Sequence, residues 1–227
     1  MLIRWLFTGA SDKRELILYM CKILALSGSK VLLVDLSDGR IYRYLLRSGI
    51  EELAITEYNG FDITSTAVHM DHEAYDYCLY DIGVTTRNIE GLLESADQII
   101  WASSHDRCEL GRSIEWLHDS SKRYSQLAGR EIQVVFIRTL DSVLNQEYVL
   151  GLLDEIQSMG WKERIISIPW SEGNEEIRLL NEHSGSLRMR RISKAYKRAL
   201  LELLGELTGW SMSEAKGALR LAERRGA

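Results

Sequence analysis

Proline, cysteine and long apolar runs are all scarce in this chain of 227 residues. The single proline, Pro169, excludes a proline-rich linker. The three cysteines (Cys21, Cys78 and Cys108) lie far apart, so we expect neither a disulfide framework nor a zinc ribbon, and a reducing cytoplasm fits. No apolar run reaches the length of about eighteen residues that a membrane-spanning helix needs. The first residues lack a signal-peptide pattern, and we expect a cytoplasmic protein.

The charged residues are unevenly distributed along the chain. The whole sequence has a net charge of −5, and its 45% apolar and 27% charged residues are the balance of a soluble globular protein. Residues 186–227 contain ten Lys and Arg against four Asp and Glu, so this end carries +6 and residues 1–185 carry −11. A basic end on an acidic body predicts either a solvated helix or a surface for an anionic partner.

The basic end also supplies candidate binding residues. We expect protein partners, together with peripheral contact to an acidic protein or an anionic membrane, and we do not expect nucleic acid. The apolar face of residues 209–227 is thin for an interfacial membrane helix, so this segment is expected to dock on the domain or on a partner. The candidates for binding an anion are Arg188, Arg190, Arg191, Lys194, Lys197 and Arg198.

Short apolar runs alternate with segments of helical periodicity. Continuous apolar strands separated by helices are typical of βαβ units with right-handed crossovers. The pattern therefore predicts a three-layer, doubly wound α/β domain with a mostly parallel sheet over residues 1–208, followed by a helical tail at 209–227. The predicted strands are 2–7, 31–34, 77–80, 98–102, 132–137 and 165–168, and the predicted helices are 13–27, 88–95, 107–127, 145–159, 173–182, 188–207 and 211–225.

The turn after the first predicted strand is the first place to look for a ligand. Ligands of such sheets bind beyond the carboxyl ends of the strands, and the first helix offers free N–H groups to a phosphate there. Residues 7–15 (FTGASDKRE) occupy this turn. Their TGAS opening is typical of short-chain dehydrogenases, but the further glycines of that family are missing and none of the ten tyrosines has a lysine four residues later.

A second resemblance covers nearly the whole chain. Residues 25–35 (ALSGSKVLLVD), 75–81 (YDYCLYD), 96–100 (ADQII) and 168–171 (IPWS) resemble, in order, segments of the MinD/ParA group of P-loop ATPases. These SIMIBI-type proteins carry a deviant Walker A motif, GKGGxGKTT. The resemblance implies the P-loop fold, a nucleotide site at residues 7–15 and a homodimer.

Several motif positions depart from the family pattern. Thr8 replaces the signature lysine, whereas Gly9 is retained. Asp12 replaces the glycine before the P-loop lysine, which Lys13 retains, and Arg14 replaces the threonine whose hydroxyl binds magnesium.

The later motifs are also only partly retained. Asp35 and Asp81 keep the family's carboxylates, while Ser37 replaces a second aspartate and Ile137 falls where the family commonly has an adenine-binding asparagine. We interpret Asp35 and Asp81 as strand-end carboxylates with local hydrogen bonds or ion pairs.

These departures predict a degenerate site. A carboxylate at Asp12 repels phosphate, and Asp12 with Glu15 fits a capping box that would satisfy the free N–H groups of the helix. Arg14 offers no oxygen to a metal, although it could neutralise Asp12 or bind phosphate weakly. We therefore expect no cofactor, with ATP and magnesium disfavoured but weak nucleotide binding left open.

The functional hypothesis is a non-catalytic pseudo-ATPase. By resemblance to TadZ and CpaE, it would act as a cytoplasmic scaffold or as a localisation and assembly factor for a pilus or secretion-type machine. One alternative is an ATP-binding partition ATPase with an unconventional loop. Another is an adaptor whose basic tail binds DNA or a membrane.

Three further groups of residues are candidates for metal binding, nucleophilic chemistry or filling of the pocket. His69 and His72 form a possible pair of metal ligands that lacks further ligands. His105 and Cys108 could form a nucleophilic pair only if the fold brings them together. Two of the six tryptophans, Trp101 and Trp170, are predicted at ligand-edge turns, where a bulky ring could fill a vacated pocket.

Overall fold

The computed structural model describes residues 2–46, 55–66, 74–140, 146–153, 156 and 159–224. Within them the chain forms nine strands, seven α-helices and two short 3-10 helices, Ile41–Tyr44 and Ser125–Leu127. The strands are β1 (Ile3–Thr8), β2 (Val31–Leu36), β3 (Thr56–Tyr58), β4 (Phe61–Thr64), β5 (Tyr77–Ile82), β6 (Gln98–Ser103), β7 (Glu131–Thr139), β8 (Gly160–Trp161) and β9 (Ile166–Pro169). The helices are α1 (Arg14–Leu26), α2 (Glu90–Ser95), α3 (Arg107–Arg123), α4 (Gln146–Leu153), α5 (Glu172–Ser184), α6 (Lys194–Thr208) and α7 (Met212–Arg224).

All described strands belong to one sheet with the order β3-β4-β2-β5-β1-β6-β7-β8, and β9 also pairs with β7. Every strand pair is parallel except β3–β4. The register places Asp81 of β5 opposite both Asp35 of β2 and Phe7 of β1. The carboxyl ends of the three central strands therefore meet at the loop that follows β1.

The sheet is buried on both faces, as its continuous apolar strands predict. Alternate residues of β1 point to opposite faces, so Trp5 and Phe7 join one core cluster and Leu6 joins the other. The first cluster contains α1, α6 and α7, and the second contains residues of α2, α3 and α4. This confirms the predicted three-layer, mostly parallel α/β fold.

The last helix packs against the domain. Its buried residues Ala215, Ala218, Leu219 and Ala222 belong to the same core cluster as α1 and α6. Small side chains let α7 approach these two helices closely, so its narrow apolar stripe is used within the chain. No helix among the described residues is both long and apolar enough to cross a bilayer.

One helix boundary was predicted wrongly, and one hairpin was missed. The helix expected at 188–207 begins only at Lys194, where the hydroxyl of Ser193 caps its first turn by accepting from Tyr196 N at 3.2 Å. The preceding residues form a loop because the amide side chain of Asn181 binds both N and O of Arg188, at 2.9 and 3.0 Å. The β3–β4 hairpin was missed, although its Asn59-Gly60 turn is a recognisable signal.

Candidate functional site: the loop between β1 and α1

The loop after β1 is anchored to β6 and α3. The hydroxyl of Ser113 on α3 accepts from Ala10 N at 2.8 Å, and the hydroxyl of Ser11 accepts from Ser104 N at 2.8 Å. Gly9 has φ +116°, and a Cβ added there would lie 2.0 Å from the carbonyl oxygen of Ala102. The retained glycine therefore has a packing role that does not require a phosphate.

Lys13 turns inward rather than toward solvent. Its Nζ lies 2.7 Å from Asp81 Oδ1 and donates to Gly9 O at 3.1 Å. The two side chains are only 4% and 1% exposed, so the ion pair is almost fully buried. The lysine and the carboxylate retained from the family motif thus neutralise each other.

Tyr42 joins the two retained carboxylates, and sequence analysis did not identify it. Its hydroxyl donates to Asp81 Oδ2 at 2.8 Å, and its backbone N–H donates to Asp35 Oδ2 at 3.0 Å. The other oxygen of Asp35 accepts from the backbone N–H of Ser37 at 3.0 Å and from its hydroxyl. Burial nevertheless raises the pKa of Asp35 above its ordinary value. Both carboxylates are therefore engaged by the protein itself.

Asp12 and Arg14 form a bidentate pair at the start of α1. Arg14 Nε and Nη2 donate to the Asp12 carboxylate at 2.9 and 2.6 Å, and Arg14 N donates to Asp12 Oδ1 at 3.1 Å. Arg138 Nη2 lies 3.8 Å from the same carboxylate. Burial raises the pKa of Asp12, but the hydrogen bonds and charge of Arg14 outweigh it and the pKa is lowered. Asp12 is therefore an anion held by arginines.

The predicted capping box is absent. The residue before α1 is Lys13, and no side chain caps the helix there. Asp12 binds Arg14 instead, and Glu15 turns toward the hydroxyls of Tyr19 and Tyr196. Burial raises the pKa of Glu15 to about 7, against the lowering effect of these hydroxyls and of Arg178. The box fails because Asp12 binds the N–H and the guanidinium of Arg14, while Glu15 binds tyrosine hydroxyls of later residues.

A cleft of about 290 Å³ lies over this loop, at the lower end of the range for small-molecule sites. It is bounded by the loop, by the residues after β2 and by Tyr44, whose side chain is largely exposed. Thr8, at the position of the signature lysine, is only 1% exposed and ends β1 inside the fold. Its side chain therefore cannot reach a second molecule.

The two tryptophans predicted at ligand-edge turns differ in position. The prediction for Trp101 was wrong, because this residue lies within β6 and is fully buried. Its ring packs edge-on against Phe136, with ring centroids 6.2 Å apart. Trp170 follows β9 and is 45% exposed. It borders a second, narrower cavity of about 40 Å³ that Glu15 and Arg138 also line.

The residues at the start of α1 differ in three respects from those that a magnesium nucleotide needs. A phosphate cradle needs free backbone N–H groups, and the metal needs a hydroxyl oxygen beside the phosphates. Here Ala10 N–H is bound by Ser113, the Asp12 carboxylate borders the cleft, and Arg14 has no oxygen to offer. The loop keeps the position of a P-loop while its chemistry is that of an internal ion-pair network.

The other sequence candidates are placed as follows. Arg188, Arg190, Arg191, Lys194 and Arg198 are exposed, whereas Lys197 is half-buried. His69 and His72 lie outside the described residues, and the described residues contain no cluster of three His, Cys, Asp or Glu side chains that could hold a metal. The ring of His105 packs at a tilt against Phe136, with centroids 5.0 Å apart, and Asp106 caps α3 by accepting from Cys108 N at 2.9 Å.

Comparison with solved structures places this fold among the ParA and MinD proteins. Similar structures include a ParA family ATPase from Chlorobium tepidum (15% identity, 97% of this chain and 98% of that chain, TM-score 0.54). The MinC:MinD cell division complex of Aquifex aeolicus matches at 15% identity, 98% and 95% coverage and a TM-score of 0.53. The pNOB8 ParA bound to nonspecific DNA matches at 13% identity, 99% and 98% coverage and a TM-score of 0.51.

The predicted resemblance to the MinD/ParA group is thereby confirmed at the level of the fold. The chain has the three-layer architecture of these P-loop ATPases over nearly its whole length. No protein-family model matches the sequence, and no curated protein matches it significantly.

Proposed function

We propose that this protein is a non-catalytic member of the MinD/ParA-type fold that acts as a scaffold or localisation factor for a larger assembly. The observation that carries the proposal is the bidentate Asp12–Arg14 pair, which occupies the two positions where a nucleotide site needs a glycine and a metal-binding hydroxyl. Phosphoryl transfer depends on positioned metal charge beside the phosphates, and Arg14 offers no oxygen ligand for that metal.

The burial of Lys13 with Asp81 supports the same proposal. Freeing Lys13 for a phosphate would leave Asp81 buried with only the Tyr42 hydroxyl as a described partner. Uncompensated buried charge is costly, so the closed network favours the nucleotide-free arrangement. The Lys13–Asp81 pair needs no ligand to be neutralised. This suits a protein that functions through binding surfaces and not through ATP turnover.

The competing function is an ATP-binding positioning ATPase with an unconventional loop. It is favoured by the structural comparisons, which include a protein described as an ATPase. The chain also retains Lys13, Asp35 and Asp81 of the family motif, which favours the same function. It predicts magnesium-dependent ATP binding, which the proposed scaffold lacks.

The partners of similar proteins differ in kind. One matched structure is a complex of MinD with the protein MinC, and another is a ParA bound to DNA. Our expectation that nucleic acid is not a partner therefore has no support from these comparisons. We propose that the partner is a protein. We also propose that the chain dimerises without nucleotide.

The proposal is tested by measuring ATP turnover and binding with magnesium. The wild type should show no turnover above that of Lys13→Ala and no binding by calorimetry. The double variant Asp12→Gly/Arg14→Thr should gain magnesium-dependent binding, because it restores the missing glycine and hydroxyl. Asp12→Ala/Arg14→Ala is the matched control, since it removes the same charges without supplying the hydroxyl.

Two results would overturn the proposal that this protein is a pseudo-ATPase. One is wild-type turnover that Lys13→Ala abolishes, and the other is a shift in molar mass by light scattering when ATP and magnesium are added. A mass that stays the same with and without nucleotide supports assembly through nucleotide-independent surfaces.

A further inference from the structure

A basic surface forms where three segments of the chain meet. Lys197 Nζ donates to the carbonyl oxygen of Arg190 at 2.8 Å and pairs with Glu223 at 2.6 Å, so it ties the loop before α6 to the last turn of α7. Exposed basic residues flank Lys197 and Glu223 in the sequence, on α6 with its preceding loop and on α7. They are Arg190, Arg191, Lys194, Arg198, Arg220 and Arg224, and we refer to these six as the basic surface.

The surface is preformed by the two helices. Lys194 and Arg198 are four residues apart on α6, as are Arg220 and Arg224 on α7, so each pair lies on one helical face. The two helices pack on the same core cluster, and the Lys197–Glu223 pair fixes their ends together. No ordering of these helices is needed before a partner binds.

Every acidic side chain of residues 186–224 is engaged elsewhere. Glu202 and Glu206 face Arg164 at 3.7 and 3.3 Å. Glu214 accepts from Ser211 at the start of α7, and Glu223 binds Lys197. None of the six basic side chains makes an ion pair with another residue that the structure describes. The surface therefore carries uncompensated positive charge.

We propose that the basic surface binds a short acidic segment of a partner protein. This inference rests on the proposed scaffold function, for which it names the chemistry of the partner. Five of the six side chains are arginines, whose planar guanidinium groups pair with carboxylates in a bidentate geometry. Leu221, next to Arg220 and 46% exposed, offers an apolar contact at the same place.

The rest of the molecule argues for a short partner segment. Residues 1–185 carry a net charge of −11, and charges interact over a Debye length of about 8 Å at physiological salt. A long duplex or a flat bilayer would extend beyond the basic surface and face this acidic body. The apolar stripe of α7 is also buried against α1 and α6, so it cannot insert into a membrane.

The test is fluorescence anisotropy with a labelled peptide of glutamate and leucine, about a dozen residues long. The wild type should bind it with an affinity that falls about tenfold between low and moderate salt. The triple variant Arg191→Gln/Lys194→Gln/Arg220→Gln should bind at least about tenfold more weakly. Lys30→Gln/Arg107→Gln/Lys122→Gln is the matched control, because it removes the same charge from exposed sites elsewhere, and it should stay within about twofold.

Duplex DNA and vesicles containing phosphatidylglycerol serve as competing probes. Both should bind at least about tenfold more weakly than the peptide. Tighter binding of either probe, or equal loss in the control variant, would overturn the inference. These outcomes are independent of ATP turnover, so a failure here is distinguishable from a failure of the proposed function. Circular dichroism of each variant verifies that its fold is intact.

Discussion

The loop at the start of α1 and the basic surface use charge in opposite ways. At the loop, Lys13 pairs with Asp81 and Arg14 pairs with Asp12, all within the chain. At the basic surface, six Lys and Arg side chains have no acidic partner among the described residues. The charges at the loop are therefore paired within the structure, while the unbalanced positive charge lies on another surface.

The two regions also differ in exposure. The Lys13–Asp81 pair is almost fully buried, whereas the Arg and Lys side chains of the basic surface face solvent. Buried charges depend strongly on their partners, and exposed charges contribute little to stability. Substitutions at the loop should therefore change the free energy of unfolding, and substitutions at the basic surface should change binding alone.

The largest effect is expected from Asp81→Asn. It leaves Lys13 buried without its counter-charge and should lower the free energy of unfolding by about 3 kcal/mol or more. Adding Lys13→Met should cost less than the sum of the single changes, with a coupling energy above about 1 kcal/mol. A double-mutant cycle by urea unfolding measures this, and additive effects would show that the pair is not a structural unit.

Gly9→Ala should cause the next largest loss in the free energy of unfolding. The new Cβ would overlap the Ala102 carbonyl in a backbone conformation with positive φ, at a cost of about 3 kcal/mol. Gly28→Ala is the matched control, because its φ is +104° but no atom lies within 4 Å of the added Cβ, so only the backbone strain of about 1 kcal/mol remains. Equal losses in thermal unfolding would contradict the packing role of Gly9.

Glu15 should make the stability of the loop region depend on pH. Burial raises the pKa of Glu15 to about 7 from an ordinary value of 4.5, so the folded state binds this proton more tightly than the unfolded state. The resulting stabilisation is complete below about pH 4.5 and is lost as the pH rises through 7. Relative to Glu15→Gln, the wild type should lose up to about 3 kcal/mol across this window. Parallel stability curves of the two proteins would refute the assignment.

The smallest change in stability is expected at the basic surface. Each of Arg191→Gln, Lys194→Gln and Arg220→Gln should alter the free energy of unfolding by less than about 0.5 kcal/mol, because no ion pair is lost. Chemical denaturation measures this. A loss comparable to that of Asp81→Asn would mean that the basic surface is held by contacts within the chain and is not free for a partner.

Most of the fold could be predicted from the spacing of apolar residues along the sequence. The strands and helices around Val31–Leu36, Tyr77–Ile82 and Arg14–Leu26 were predicted within two residues, because long buried runs bounded by polar turns leave few alternatives. The start of α6 was predicted too early. Leu187 and Met189 have helical spacing with later residues, but their burial is achieved by a loop that Asn181 holds.

Only part of the candidate site could be predicted from the sequence. The departures at Asp12 and Arg14 can be read directly from the motif, and the possibility that they bind each other follows from their separation of two residues. Tyr42 carried no signal, since an aromatic residue after a strand is usually a core residue. The capping box failed because a local pattern competes with partners that the sequence does not place nearby, such as Tyr196 for Glu15.

The sequence by itself determined the alternation of strands and helices, the identity of each residue in the loop after β1 and the excess of positive charge at the carboxyl end. Only the tertiary structure decided which charges are neutralised. Lys13 and Asp81 meet because β1 and β5 are neighbours in the sheet, and Lys197 and Glu223 meet because α6 and α7 share one core cluster. Such pairings depend on strand order and helix packing, which bring together residues that are distant in the chain.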